Sequence, residues 1–127
     1  MFEKLRERAF RANMELWKRG VVIYTWGNVS EADRAAGVFA IKPSGVPYES
    51  LRAEDIVIVS IADGSRVDGE LNPSSDTPTH AALYRAFPEI GGVTHTHSPF
   101  ATAWAQAGKN IPCLGTTHAD AFRGDIP

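Results

Sequence analysis

The 127-residue sequence contains one cysteine, no run of basic residues and no apolar segment approaching the roughly 20 residues that cross a bilayer. A lone cysteine cannot form an intrachain disulfide, which favours a reducing compartment. Thirteen Lys and Arg against fifteen Asp and Glu give a net charge of −2, so binding to nucleic acid or to an anionic membrane is not indicated. The N-terminal residues mix acids and bases and lack the apolar centre of a signal peptide. Together these absences predict a cytoplasmic protein.

The pattern of apolar residues predicts one domain, residues 1–127, in which helices cover a sheet. An apolar stripe at helical spacing predicts a first helix that ends near Gly20. Cap-then-proline signals at Thr77–Pro78 and Ser98–Pro99 predict two more helices. β-Branched and aromatic runs predict strands at 21–25, 37–41 and 93–97, with a break at 26–30 and a hairpin around Asp63–Gly64. Residues 111–122 are predicted to begin extended and to end as a polar loop.

His95 and His97 stand one residue apart in the predicted strand 93–97. Because side chains alternate along a strand, both imidazoles are expected to project from the same side. Ring nitrogens about 2.0–2.1 Å from one ion would suit zinc, whose catalytic sites take three protein ligands. Taken alone, the pair fits a half-exposed polar strand face as well as it fits a metal site.

Asp76 follows Ser74 and Ser75 directly before a predicted helix start. Free backbone N–H groups and the helix dipole favour anions there, so the serines suit a phosphate and the carboxylate suits a metal or a proton. The alternative is that Asp76 or Thr77 simply caps the helix. His80, one turn further on, is expected to lie on the helix surface.

Two glycine-bearing turns, at 27–28 and 44–45, stand near ends of predicted strands. Small residues let backbone N–H groups approach an anion closely, so these turns, together with Lys42, could hold an oxyanion or a phosphate. Both are also ordinary turn sequences. A last polar pair, His118 and Asp120, either shares one face or lies in a loop without a role.

These motifs stand in one order along the chain: YTWGNVS, IKPSGV, SSDTPTH, GGVTHTHS, WAQAG and GTTHAD. In that order and at that spacing they resemble the class II aldolase and adducin-head family, and within it the L-ribulose-phosphate 4-epimerases. The resemblance covers essentially the whole chain. It implies an α/β fold of three layers, α/β/α, with a mostly antiparallel central sheet and the C-terminal part of the fold absent. It also implies a homotetramer with active sites between neighbouring subunits.

Carried over residue by residue, the resemblance implies a divalent metal, expected to be Zn²⁺, at Asp76, His95 and His97. Asp120 matches the catalytic acid/base carboxylate, and no direct role is implied for His118. The matched substrate and phosphate contacts are Gly27, Asn28, Ser44, Gly45, Ser74 and Ser75, with Lys42 as a further phosphate or hydroxyl contact.

The implied reaction is the metal-dependent epimerisation of L-ribulose 5-phosphate to D-xylulose 5-phosphate. The proton at C4 is not acidic, so inversion requires retro-aldol cleavage of the C3–C4 bond, rotation of the glycolaldehyde phosphate and re-formation of the bond. A divalent metal would stabilise the dihydroxyacetone enediolate as a Lewis acid. Two proton-transfer groups, one on each face, would serve the C4 oxygen. The substrate is thus expected to be a small sugar phosphate, from arabinose or ascorbate breakdown.

Two other functions stay open. One is a class II sugar-phosphate aldolase of the fuculose-phosphate type, whose members carry Glu where this sequence has Asp76. The other is a non-catalytic protein such as the adducin head, or an inactive fragment; the retained His95 and His97 argue against the adducin-like case. The family also implies a further histidine ligand downstream of His97 and a tyrosine near the C-terminus, and this sequence offers neither. Metal binding by this chain alone is therefore expected to be weak.

Overall fold

A five-stranded antiparallel sheet lies between two helices in the first of the chain's two units, Met1–Thr96. This description comes from a computed structural model that covers residues 1–127. The helices of the first unit are α1 (Glu3–Lys18) and α2 (Thr77–Ala86), and its strands are β1 (Asn28–Asp33), β2 (Val38–Ile41), β3 (Val57–Ser60), β4 (Arg66–Asp68) and β5 (Gly92–His95). The strand order is β4-β3-β2-β1-β5, with every neighbouring pair antiparallel.

The two central strands alternate between two hydrophobic layers, as the strand period of two requires. Val38 and Ala40 of β2 share one core with α1, which contributes Leu5 and Ala9. Phe39 and Ile41 face the other way, toward the second core. In that core they meet Val57 and Val59 of β3 and Ala81 and Tyr84 of α2. The predicted three-layer α/β/α arrangement with an antiparallel sheet is therefore confirmed.

The second unit, His97–Pro127, contains two further helices. They are α3 (Pro99–Gln106), which begins at the predicted Ser-Pro signal, and α4 (Thr116–Phe122). An antiparallel bridge joins Ile111 to Ile126. None of the four helices is long and apolar enough to cross a membrane.

The prediction of a strand at 21–25 and a break at 26–30 is wrong, because the order is reversed. Residues 21–27 form an irregular connection, in which Tyr24 adopts a left-handed conformation with φ of 54° and Val22 is the buried side chain. The strand begins at Asn28. Its buried positions Asn28 and Ser30 are polar, so apolar periodicity could not reveal it; Asn28 Nδ2 and Ser30 Oγ make side-chain hydrogen bonds to residues before and within α2.

Two other predicted boundaries also change. The predicted polar loop at the end of 111–122 is instead the helix α4, which begins after Gly115 and ends at Arg123 in a left-handed conformation with φ of 53°. A ring contact between His118 and Phe122, one turn apart, supports this helix despite its weakly helix-forming threonines. The strand predicted at 93–97 ends at His95, so His97 lies outside it.

Candidate functional site

The carboxylate of Asp76 is the meeting point of three segments of the first unit. Asn28 Nδ2 donates to Asp76 Oδ2 over 2.7 Å, and His95 Nδ1 lies 2.9 Å from the same oxygen. Ser74 Oγ lies 3.4 Å from it. Asp76 is the N-cap residue of α2, but its side chain makes no capping hydrogen bond. The carboxylate therefore faces the site, and the alternative in which it only caps the helix does not hold.

The charge of Asp76 is stabilised by these partners. Partial burial works to raise the pKa of Asp76, but the hydrogen bonds from His95 and Asn28 outweigh it and hold that pKa below its usual value. An ionised carboxylate only accepts, so His95 must carry its hydrogen on Nδ1. In the neutral ring the lone pair then lies on Nε2, the atom with which such a histidine would bind a metal.

Asn28 brings a second unusual feature to the same place. The residue is 3% exposed, and its Oδ1 atom is buried without a hydrogen-bond partner, as is Thr77 Oγ1 at the start of α2. Orphaned polar atoms of this kind cost free energy and are rare away from functional sites. An acceptor such as Asn28 Oδ1, beside Asp76, suits a hydroxyl or N–H donor of a bound molecule.

Gly27 is held so closely that no other residue fits without movement. Its φ is +78°, and a Cβ placed there would lie 2.6 Å from Val22 Cγ1 and 2.9 Å from the carbonyl oxygen of His95. Because glycine has no side chain, the 26–28 turn can pack against the end of β5. Gly27 thereby places Asn28 directly opposite His95 in the β1–β5 register.

The other predicted contact loops join this region through the main chain. Ser74 N–H donates to the carbonyl of Lys42 over 3.1 Å, and Ser44 N–H donates to the carbonyl of Asn72 over 3.0 Å. Ser44, the neighbouring Gly45 and Ser75 are exposed, while Ser74 is half-buried. The loop with Ser44 and Gly45 therefore lies beside the loop with Ser74 and Ser75, and the predicted contacts of both remain at least partly open to solvent.

Lys42 occupies a different position from the one expected of a substrate contact. Its side chain is 1% exposed, and its ammonium lies 2.5 Å from the carbonyl oxygen of Val46 and 3.4 Å from that of Thr25. The same ammonium lies 4.8 Å from the centre of the Tyr48 ring. Burial lowers the pKa of Lys42 to about 8.

His80 was expected on the helix surface, and that expectation is wrong. The residue is 1% exposed, and its Nδ1 lies 2.7 Å from Ser30 Oγ, which in turn lies 2.8 Å from the Tyr84 hydroxyl. Burial lowers the pKa of His80, against the opposing influence of Asp76. The spacing of the buried positions of α2 (Thr77, His80, Ala81 and Tyr84) is that of one helix face, and this pattern was the available signal that His80 faces inward.

The donor types around Asp76 fit a divalent ion, but their number does not complete a site. A catalytic zinc takes three protein ligands, and no three His, Cys, Asp or Glu side chains of this chain come together to hold a metal. His97 belongs to the second unit. The predicted set of Asp76, His95 and His97 therefore stays a prediction, with the carboxylate–imidazole contact as the observation that fits it.

Asp120, the predicted acid/base, lies on α4 of the second unit and is exposed. On the same helix, His118 Nε2 donates to the carbonyl of Gly124 over 2.8 Å, which fits the expectation that it has no direct role. No sequence pattern indicates the roles of Asn13, Tyr48 and the pair Ser30 and Tyr84, all buried polar groups that hold the site segments together.

Comparison with known proteins shows which family this chain matches. Residues 7–127 match the model of the class II aldolase and adducin N-terminal domain. An L-fuculose 1-phosphate aldolase structure is 29% identical, with a TM-score of 0.80, over 87% of this chain and 51% of its own. YgbL from Escherichia coli, a candidate aldolase/epimerase/decarboxylase, is 30% identical, with a TM-score of 0.72, over 81% of this chain and 48% of its own.

A third structure, L-fuculose-1-phosphate aldolase from Thermus thermophilus, covers 100% of this chain and 63% of its own at 24% identity and a TM-score of 0.77, and shows the shared fold. The chain spans about half the length of the first two structures, by the shares given above. The match to the family model extends over nearly the entire sequence. The chain therefore belongs to the class II aldolase and adducin N-terminal domain family.

Proposed function

We propose that this chain supplies the substrate loops and part of the metal site of an enzyme that epimerises L-ribulose 5-phosphate to D-xylulose 5-phosphate. Membership of the family supports a reaction in which a carbon–carbon bond of a sugar phosphate is broken. The observation that carries the finer proposal is the environment of Asp76, which is held by Asn28 over 2.7 Å and by His95 at 2.9 Å.

Two hydrogen bonds from the protein make the Asp76 carboxylate a fixed anionic acceptor. A general base should instead be free to reach and take a proton from the substrate. In the aldolases that this chain resembles, Glu at this position serves as that base, whereas the shorter Asp76 is committed to orienting His95. The arrangement thus favours cleavage and re-formation of the C3–C4 bond over protonation and release of the fragments.

The residues of the chain would divide the work as follows. His95 and His97 would hold a divalent ion such as Zn²⁺, with Asp76 beside the ion to orient the His95 ring. The ion supplies Lewis-acid polarisation of the ketose C2 carbonyl when bound. The N–H groups of Gly45 and Ser75 and the hydroxyls of Ser44 and Ser75 would bind the phosphate, because the N–H groups of Ser44 and Ser74 already donate to main-chain carbonyls. Asn28 Oδ1 would accept from a substrate hydroxyl. Asp120 would exchange a proton with the C4 oxygen.

Several expectations from the sequence remain predictions. They are the homotetramer, the cytoplasmic location, the assignment of residues 1–127 to one domain, the further histidine ligand and the tyrosine near the C-terminus.

A second candidate is an aldolase that releases its products. The 29% identity to an L-fuculose 1-phosphate aldolase favours it. The two candidates differ in what leaves the enzyme, because an epimerase recaptures the aldehyde fragment and an aldolase does not.

Product analysis of the full-length protein tests the proposal. The protein, loaded with Zn²⁺ or Mn²⁺, is incubated separately with L-ribulose 5-phosphate and with L-fuculose 1-phosphate, and the products are identified by NMR. We expect D-xylulose 5-phosphate from the first substrate with only traces of free dihydroxyacetone. Stoichiometric dihydroxyacetone, or rapid cleavage of L-fuculose 1-phosphate, would favour the aldolase instead.

A further inference from the structure

We infer that Lys42 is a positioning residue, which joins the three substrate loops from beneath and does not itself contact the substrate. The loops are 24–28, 43–48 and 72–76, and they carry the predicted contacts Gly27, Asn28, Ser44, Gly45, Ser74 and Ser75. The inference rests on the proposed function only for the identity of what these loops bind.

The ammonium of Lys42 joins the first loop to the second. It lies 3.4 Å from the carbonyl oxygen of Thr25 and 2.5 Å from that of Val46. Two carbonyls and the face of the Tyr48 ring, 4.8 Å away, surround the charge. With the residue only 1% exposed, a substrate phosphate could reach this ammonium only if those contacts were first broken.

Tyr48 makes a second connection between the same two loops. Its hydroxyl donates to the carbonyl of Gly27 over 2.8 Å, and the residue is fully buried. Lys42 packs on the ring of this tyrosine. The ammonium therefore binds the carbonyl of Thr25, and the phenol binds the carbonyl of Gly27 in the same turn. The second contact fixes Gly27 directly before Asn28.

The main chain of Lys42 connects the third loop. Its carbonyl accepts from Ser74 N–H over 3.1 Å, while Ser44 N–H donates to the carbonyl of Asn72 over 3.0 Å. An isolated bridge pairs Pro43 with Pro73 between these bonds. Lys42 is thus attached to all three loops, by its side chain to two and by its backbone to the third.

Preorganised donors bind an anion better than donors that must first be ordered, because the entropy of ordering is not lost on binding. Removing the ammonium should therefore loosen the loops and weaken substrate binding without a clash or a lost contact at the substrate. Lys42→Met keeps the length and packing of the stem and removes the charge and the donors. Tyr48→Phe keeps the ring and removes the hydroxyl. Lys4→Met, at an exposed lysine of α1, is the matched control.

Hydrogen exchange of individual amides gives a readout that does not depend on activity. In Lys42→Met we expect the Trp26, Ser44 and Ser74 amides to exchange about tenfold faster or more, as the loss of a charged hydrogen bond predicts. Amides of β2 and β3 should exchange at the wild-type rate, and Lys4→Met should change nothing. Unchanged loop amides in Lys42→Met, or equal acceleration throughout the sheet, would overturn the inference.

Steady-state kinetics of the full-length metal-loaded enzyme then separates positioning from contact. We expect Lys42→Met and Tyr48→Phe each to raise KM for L-ribulose 5-phosphate, with less effect on kcat. In the double variant, the increase in KM should be smaller than the product of the two single increases, because both residues act on the same pair of loops. A large effect of Lys42→Met beside a silent Tyr48→Phe would instead indicate direct contact with the phosphate. If the wild type does not act on this substrate, the proposed function fails while the exchange result still decides the role of Lys42.

Discussion

Asn28 and His95 lie directly opposite each other on β1 and β5, and both bind the same carboxylate oxygen of Asp76. The register of two strands thereby fixes the orientation of an acid that precedes a helix. Any slip of β5 by one residue would turn His95 to the other face of the sheet and break this contact. The site is accordingly as rigid as the sheet that carries it.

Lengthening the acid should change what the enzyme releases. In Asp76→Glu the extra methylene carries the carboxyl group past Asn28 and His95, so that it becomes free to pass a proton to C3 of the enediolate, which balances the proton that the C4 hydroxyl loses on cleavage. We expect the ratio of dihydroxyacetone released to D-xylulose 5-phosphate formed to rise about tenfold or more, a change of ~1.4 kcal/mol in relative barrier heights. NMR quantification of both products from L-ribulose 5-phosphate measures the ratio.

The matched control for this substitution is Asp63→Glu, in the exposed hairpin turn between β3 and β4. It adds the same methylene far from the site and should leave the product ratio unchanged. If Asp76→Glu gave the wild-type ratio of dihydroxyacetone to D-xylulose 5-phosphate, the hydrogen bonds of Asp76 to Asn28 and His95 would not be what selects epimerisation.

Much of the fold could be predicted because the central strands and helices bury apolar side chains in regular patterns. Phe39 and Ile41 of β2 are apolar and β-favouring, and the Asp63–Gly64 turn connects β3 to β4 as expected. The strand β1 could not be predicted, since its inward positions Asn28 and Ser30 are polar. Their partners come from 46 to 54 residues away, and no local pattern contains that information.

The site residues, like the strands, divide into those that the sequence indicates and those that it does not. The residues that match known motifs, from Gly27 to His95, carry recognisable chemistry. Residues that hold them in place, such as Asn13 and Tyr48, are buried polar groups whose partners are backbone atoms. Sequence gives no sign of such a role, because the partner atoms are present in every residue and only the fold selects which of them are reached.

Replacing Gly27 should disrupt both the turn and the end of β5. In Gly27→Ala the added Cβ would lie 2.9 Å from the carbonyl oxygen of His95, and φ of +78° is strained for any L side chain. We expect the free energy of unfolding to fall by about 3 kcal/mol or more. Gly37→Ala is the control, since φ there is +68° with nothing within 4 Å, and it should cost only about 1 kcal/mol. Urea denaturation of both variants makes the comparison; equal losses would mean that the close approach at Gly27 costs nothing.

The buried amide of Asn13 should be essential to the start of β1. Its Oδ1 accepts from Val29 N–H and its Nδ2 donates to the carbonyls of Val29 and Ala9, each over 2.8 Å. Asn13→Leu would leave the Val29 groups buried and unpaired, so we expect the free energy of unfolding to fall by about 3 kcal/mol. Asn110→Leu, at an exposed position, should stay within about 0.5 kcal/mol of the wild type. A loss no larger at Asn13 than at Asn110, measured by urea denaturation, would contradict the bidentate role.

The buried ammonium of Lys42 should make stability depend on pH in the alkaline range. Burial lowers its pKa from 10.5 to about 8 in the folded chain, so between these values the unfolded chain binds more protons. The free energy of unfolding should therefore rise with pH across this window, by about 2–3 kcal/mol relative to Lys42→Met between pH 7 and pH 10.

The difference between the two proteins isolates this contribution from the other titrating groups. Burial raises the pKa of Tyr48 to about 12, which lowers stability above pH 10, but Tyr48 is present in both proteins. Urea denaturation at half-unit steps from pH 7 to pH 10 gives the two curves. Curves that run parallel would show that the ammonium is as well solvated in the folded chain as in the unfolded one, and Lys42 would then be accessible enough to meet a substrate phosphate.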